Sequence, residues 1–342
     1  MQCEKSAIAI PVYGGKKRPF FGDMVFRYLT EHHEGSFEPI EMEIRDYADG
    51  TQEAMTEGHV RGMDVYVMHP LVARGDPAEH TMVAAQISDN LHRSDSCAVI
   101  VFDLYNPWNS FDKRKGKQPL TARTVADKYA AAHVDRVFAI DPHSDMLGLA
   151  YGPGCPLEPL SMQRPLAKYF MERHTLSDVT VCSPDIGGYN RAEVFADLLN
   201  VPLVGLRKRR SMDKADETKV IEIVGDRKFV CGRTILFRDD VLRTAGSLEA
   251  AHKAMMEMGA RDSYMMVTHL DPCGPATERI RKSGIKVTGT NTVHLELPPE
   301  DAALFDVMDV SPIVGEVVYK RANHESIGQF FKSFPGPKNS KP

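Results

Sequence analysis

Apolar and polar positions in this chain switch repeatedly between a two-residue and a helical period. Ser6–Val12 (SAIAIPV) predicts a strand, Pro19–His32 a helix, and Phe37–Ile44 alternates as a half-buried strand should. Asp64–Pro70 and Ser96–Leu104 are short apolar strands on either side of a helix at His80–Arg93. Thr121–His133 has helical spacing and Val137–Ile140 is a strand that ends in Asp141-Pro142-His143-Ser144. After the proline cluster YGPGCPLEPL, which has the composition of a linker, the alternation resumes. Helices fall at Leu166–Arg173, Arg191–Leu199, Pro275–Lys282 and Pro312–Arg321, and strands at Val179–Cys182, Leu203–Leu206, Tyr264–His269, Ile285–Thr288 and Val307–Val310. Strand–helix repetition of this kind predicts an α/β protein with mainly parallel sheets, in two domains, 1–158 and 159–342.

One stretch organises the rest. Arg233–Ser247 (RTILFRDDVLRTAGS) predicts an apolar strand with two carboxylates at its end, a short loop containing Gly246, and a helix whose first turn carries Ser247. Ligands in open α/β sheets sit outside the carboxyl ends of strands, and a helix N-terminus offers unpaired N–H groups to an anion. Asp239 and Asp240 could accept hydrogen bonds from the vicinal hydroxyls of a ribose, and the backbone of Thr244–Ser247 (Thr244, Ala245, Gly246, Ser247) could wrap a phosphate. An ordinary strand-to-helix turn with a solvated acidic pair is the alternative.

Composition narrows the class. With 342 residues the chain can bury two cores, and a net charge of −5 argues against nucleic-acid binding by the surface as a whole. Six cysteines without CxxC spacing make a reducing cytosol the default, and the lack of a long apolar run implies neither signal peptide nor membrane span. The expectation is a cytoplasmic protein.

Three polar loops follow predicted strands: Asp141-Pro142-His143, Ser183-Pro184-Asp185 and Asp239-Asp240. Carboxylates with a neutral imidazole at a sheet edge can hold a divalent ion, and Mg²⁺ typically takes one or two protein ligands plus substrate phosphates. His143 alone also fits a structural histidine, and Asp185 a helix-capping carboxylate. The basic runs at 112–117 and 207–210 are either solvated or, for Lys208 and Arg210, placed to neutralise charge on a transferring phosphoryl group.

Taken together, these motifs resemble ribose-phosphate pyrophosphokinases over nearly the whole chain. RDYADGT resembles the family's adenine-binding loop, DPHS its metal motif, SPDIGGYNR its S-P-D-x-G-G-x-x-R motif, and GLRKRR its flexible basic loop. ILFRDDVLRTAGS resembles the ribose-5-phosphate loop, and NTVHLE and VMDVSPIVGEVVYKRANHESIGQFF the two closing segments. The resemblance implies two tandem type I phosphoribosyltransferase-like domains, ATP as co-substrate, Mg²⁺ as metal cofactor, and a homo-oligomer, dimer or hexamer. It implies His143 and Asp185 as Mg²⁺ ligands, Asp239 and Asp240 on the ribose hydroxyls, Thr244–Ser247 on the 5-phosphate, and Lys208 and Arg210 on the transition state. Tyr47 and Asp49 would help hold adenine. The implied reaction is attack of an anomeric hydroxyl on the β-phosphorus of ATP.

Two segments depart from the family pattern. Its Y-A-R-Q-D loop is here Asn106–Asp112, without the arginine, leaving Trp108 and Asn109 as candidates to meet ATP. In the sugar-phosphate loop a carboxylate has become Arg243, whose fork suits extra phosphate oxygens. That substitution points to a 5-extended acceptor such as ADP-ribose, or to an arginine facing solvent. The same departures also fit a catalytically inactive regulatory relative, against which the retention of His143, Asp185, Lys208, Arg210, Asp239 and Asp240 weighs.

Overall fold

The computed structural model describes residues 5–13, 21–35, 37–73, 75–114, 116–144, 146–210 and 219–331, and of 208–210 and 219–221 only the main chain. It divides into two compact units. One is built from the chain up to Leu160 together with Thr292–His294 and Asp309–Phe331; the other holds Ser161–Asn291 and Leu295–Met308. The sequence reading divides the chain at 158/159 and allows the C-terminal helix to pack back on the first domain.

In the first unit the elements run β1 (Ser6–Tyr13), α1 (Phe21–His32), β2 (Phe37–Asp46), β3 (Gln52–Thr56), β4 (Asp64–Met68), β5 (Leu71–Val72) and α2 (Pro77–Arg93). They continue with β6 (Ala98–Phe102), α3 (Thr121–Ala131), β7 (Arg136–Ile140), α4 (Leu147–Ala150) and β8 (Leu157–Leu160). Seven strands form one sheet in the order β3-β2-β1-β4-β6-β7-β8, parallel except for the β2–β3 hairpin. The central strands are covered on both faces, so they are continuous apolar runs rather than alternating ones. Helix α2 starts where the sequence supplies a stop and a cap: Pro77 opens it and Asp76 accepts the Ala78 N–H at 2.7 Å. The proline-rich stretch read as a linker is not one, because Leu157–Leu160 pairs with β7 at the sheet edge, a place that tolerates Pro159.

The second unit comprises α5 (Gln163–Met171), β9 (Val179–Ser183), α6 (Tyr189–Leu199), β10 (Leu203–Arg210), β11 (Lys219–Val224), β12 (Thr234–Leu242) and α7 (Gly246–Glu257). It continues through β13 (Asp262–Leu270), α8 (Ala276–Ser283), β14 (Lys286–Thr290), α9 (Pro299–Ala302) and β16 (Phe305–Met308), with β15 (Val293–His294) and α10 (Ser311–Ala322) returning to the first unit. Its sheet order is β11-β10-β9-β12-β13-β14-β16, again parallel except at the outer hairpin. Numbered from the first strand of each unit, the two orders are the same, so the architecture is a duplication. In each, the strand order reverses beside the first strand: between β1 and β4, and between β9 and β12. Ligands in such folds bind at this switch point.

Helix α10 packs on α1, where Gly315 allows close approach: a Cβ there would meet Tyr28 Cδ1 at 2.5 Å. Glu316 accepts from Tyr28 Oη at 2.8 Å and pairs with His33 at 2.7 Å. Cys155, Cys182, Cys231 and Cys273 form no disulfide. Among the described residues no helix is long and apolar enough to cross a membrane.

Candidate functional site

Strand β12 is the fourth of the seven in its sheet, and its first half is a fully buried apolar run in which Ile235, Leu236 and Phe237 lose all contact with solvent. The strand continues through the acidic pair, which therefore sits within the strand's carboxyl end rather than beyond it. Asp239 Oδ1 accepts the Asp240 N–H at 2.9 Å and Asp240 Oδ1 the Val241 N–H at 2.8 Å. Arg191, near the start of α6, faces both carboxylates, at 3.8 Å from Asp239 Oδ1 and 3.5 Å from Asp240 Oδ2. Burial and the neighbouring charge of Asp240 push the Asp239 carboxyl up to about 7, against the opposing pull of Arg191. Two carboxyls this close share the charge of one cation, and hydroxyl donors would complete their hydrogen bonding.

The loop after β9 reaches the same place. A Cβ at Gly188 would meet Ser183 Oγ at 3.2 Å and Asp239 Oδ1 at 3.4 Å, so the glycine lets the 183–188 loop lie against the acid pair. Asp185 Oδ1 accepts the Gly188 N–H at 3.0 Å within the loop ahead of α6, whose N-terminus carries no side-chain cap, and its second oxygen is the candidate metal donor.

Beyond β12 the chain turns through Arg243–Gly246 into α7. Ala245 stands in the left-handed region (φ 57°), which swings the main chain so that the first N–H groups of α7 open toward the turn. Thr244 and Ser247 are exposed, and Arg279 donates to the Thr244 carbonyl at 2.9 Å. Gly246 gives that arginine room, since a Cβ there would meet Arg279 Nη1 at 3.0 Å. Strand end, acid pair, turn and helix N-terminus thus occur in the order a sugar phosphate requires. Arg243 Nε lies 3.9 Å from Asp271 Oδ2.

The first-unit candidates are less uniform. Asp141 takes an unfavourable φ of 36° at the end of β7, and His143 beyond it is exposed. Tyr47 and Asp49 lie in the exposed β2–β3 hairpin turn, where Tyr47 Oη donates to Glu53 at 2.6 Å and Asp49 Oδ1 accepts the Thr51 N–H at 3.0 Å. Asn109, the other ATP candidate of that loop, is only 6% exposed, and its Oδ1 accepts from the Tyr151 hydroxyl at 3.4 Å. Trp108 packs half-buried against the first unit's core in a short 3₁₀ turn, which Asn106 caps by accepting the Trp108 N–H at 3.1 Å. Lys208 and Arg210 fall in β10, and their side chains lie outside the described residues.

Comparison with known proteins matches this layout. Residues 10–132 fit the model of the N-terminal domain of ribose phosphate pyrophosphokinase, and residues 182–332 that of the phosphoribosyl synthetase-associated domain. The ribose-phosphate pyrophosphokinase of Caldanaerobacter subterraneus subsp. tengcongensis is 30% identical over 328 residues, covering 94% of this chain and 98% of that protein. The chain belongs to the ribose-phosphate pyrophosphokinase family. The Bacillus subtilis member is 31% identical over 293 residues, 84% of this chain and 88% of its own length. Phosphoribosylpyrophosphate synthetase from Mycobacterium smegmatis superposes with a TM-score of 0.79 at 26% identity, covering 94% of this chain and all of that one, so both units have the type I phosphoribosyltransferase-like fold.

Three site residues of this ribose-phosphate pyrophosphokinase relative are not singled out from sequence: Arg191, Arg238 and Arg279. Arg191 closes the SPDIGGYNR motif and could have been found from its spacing, because a residue near a helix start faces the strand end that feeds the site. Arg279 lies on another helix, and only the tertiary fold brings it to Thr244.

Proposed function

We propose that the protein transfers the β,γ-diphosphoryl group of ATP to the anomeric hydroxyl of ribose 5-phosphate. The hydroxyl oxygen bonds to the β-phosphorus, the bond from that phosphorus to the α,β-bridging oxygen breaks, AMP departs, and the hydroxyl proton is released. The observation that carries this reading is the Asp239–Asp240 pair at the switch point, followed directly by the turn and N-terminus of α7. Asp239 and Asp240 hold the ribose hydroxyls, and Thr244–Ser247 surround the 5-phosphate. Orientation of the acceptor in this way removes rotational freedom before reaction, the main contribution available to an enzyme of this class.

Mg²⁺ fits the donors present. Mg²⁺ typically takes one or two protein ligands and completes its coordination with phosphate oxygens and water. The second oxygen of Asp185 and, in the first unit, His143 are assigned as Mg²⁺ donors, and an ion would neutralise charge on the transferred group. Lys208 and Arg210 are assigned the same electrostatic task, and Tyr47 and Asp49 the adenine.

The lean of Arg243 toward Asp271 offsets part of its charge and supports ribose 5-phosphate, rather than ADP-ribose, as the acceptor. Incubating the purified protein with ATP, Mg²⁺ and each acceptor in turn, with product identification by mass, tests both points. Ribose 1-diphosphate 5-phosphate with equimolar AMP is expected; faster turnover of ADP-ribose would reassign Arg243, and no AMP with any ribose phosphate would reject the activity.

A further inference from the structure

Arg238 is the largest fully buried side chain in the described structure. A guanidinium in the middle of a seven-stranded sheet is costly to desolvate, and it is retained only where its donors are met. Here they are: Nε donates to Gln163 Oε1 at 3.3 Å, Nη2 to Thr268 Oγ1 at 3.0 Å, and Nη1 to the main-chain carbonyl of Asp239. The guanidinium carbon also lies 5.3 Å from the Phe195 ring centre. Because successive side chains of a strand point to opposite faces, Arg238 reaches back to the carbonyl of the very residue whose carboxylate faces the site.

Gln163 joins this group to the other arginine. While its Oε1 takes the Arg238 proton, its Nε2 donates to the Arg191 carbonyl at 3.4 Å. Arg191 in turn faces both carboxylates. One buried amide therefore ties the main chain of Arg191 to the guanidinium that grips the main chain of Asp239.

We propose that Arg238 is a positioning residue for the acid pair, acting through Gln163 and the Asp239 carbonyl to fix the carboxylates relative to Arg191. This rests on the reading of Asp239 and Asp240 as the ribose-binding pair. Arg238 touches no substrate; it holds the pair in the spacing that two vicinal hydroxyls require. An apolar side chain of similar length would fill the volume but take the guanidinium donors away from the Asp239 carbonyl and Gln163 Oε1.

The test uses the full chain and four variants: Arg238→Met, Arg238→Lys, Gln163→Leu and the double variant Arg238→Met/Gln163→Leu. In Arg238→Met and in Gln163→Leu the KM for ribose 5-phosphate is expected to rise about tenfold, with KM for ATP and kcat within about twofold. The double variant should be no worse than either single one, since both break the same link. Arg238→Lys, with one ammonium to serve the Asp239 carbonyl, should recover part of the loss. An unchanged KM for ribose 5-phosphate, an equal rise for ATP, or additive losses in the double variant would each overturn the proposal. Should Arg238→Met not fold, Arg238→Lys and Gln163→Leu provide the same comparison. Failure of the parent reading is separate: it shows as absence of AMP release by the unmodified protein, and it removes this proposal with it.

Discussion

Asp239 carries the charge balance of the site, and its raised pKa has a sign that can be checked. The unfolded carboxyl gives up its proton near 3.8, while burial and Asp240 keep it protonated in the native state up to about 7. Between those values the native state holds the extra proton, so the stability contributed by that proton is complete below about pH 4 and lost as pH rises through about 7. Asp239→Asn cannot titrate, and its melting temperature should therefore decline less steeply than that of the wild type across this window. Parallel melting curves over the window would disprove the assignment. At Arg243 the opposite scale applies, because a partly exposed ion pair is worth about 0–1 kcal/mol. Arg243→Met should change the KM for ribose 5-phosphate by less than about fivefold, whereas a larger rise in steady-state assays would place the guanidinium on the acceptor. Residue identity in the sequence was enough to find the acids, whose paired occurrence after an apolar run is conspicuous. It could not reveal that Asn109 is buried or that Arg238 lies inside the sheet, since charge and polarity are surface signals until the partners that satisfy them are known.

Elements were legible in proportion to how much of them is buried. Strands β6, β9 and β12 are apolar runs because helices cover both faces, and the sequence announces them. Strand β3 (QEAMT) was missed: it lies at the outer edge of its sheet, where one-sided exposure admits polar residues. The antiparallel partner of β10, Lys219–Val224, follows a basic run and was missed for the same reason of position. Helix boundaries also moved; α6 starts at Tyr189, two residues before the predicted Arg191, because the glycines of the preceding loop hide the start signal. The element contact that most directly supports the site is α6 on β10. Gly205 leaves no space for a methyl group, as its Cβ would meet the Tyr189 ring at 2.7 Å. Gly205→Ala must displace the first residue of the helix that carries Arg191, with an expected cost of about 1–3 kcal/mol. Denaturant melts would show it as a lower midpoint with unchanged slope; a variant as stable as the wild type would mean that α6 yields freely there.

At the scale of the molecule, one strand order appears twice but only one copy carries the acid pair. Where β12 carries Asp239-Asp240 within its carboxyl end, its counterpart β4 runs into His69, and Tyr13 from the neighbouring β1 meets His69 Nε2 at 2.6 Å. Burial pushes the His69 imidazole well below its ordinary value, so the end of this strand carries a neutral ring where β12 carries carboxyls. The alternation of strands and helices made the duplication readable. The return of the last helix to the first unit is open from sequence only as an option, because an amphipathic helix does not declare which neighbour it covers. Val314, Val317 and Val318 of α10 are completely buried, and burial of each such side chain is worth roughly 1.5–3 kcal/mol. Removing everything after Met308 should therefore destabilise the first unit selectively. The protein contains one tryptophan, Trp108, packed against the core of that unit, so its fluorescence reports on the first unit alone. The truncated chain is expected to lose its tryptophan transition at a clearly lower temperature than the full chain. Circular dichroism should retain a second, later transition from the other unit. A tryptophan melt unmoved by the truncation would show that α1 does not depend on α10 for its cover.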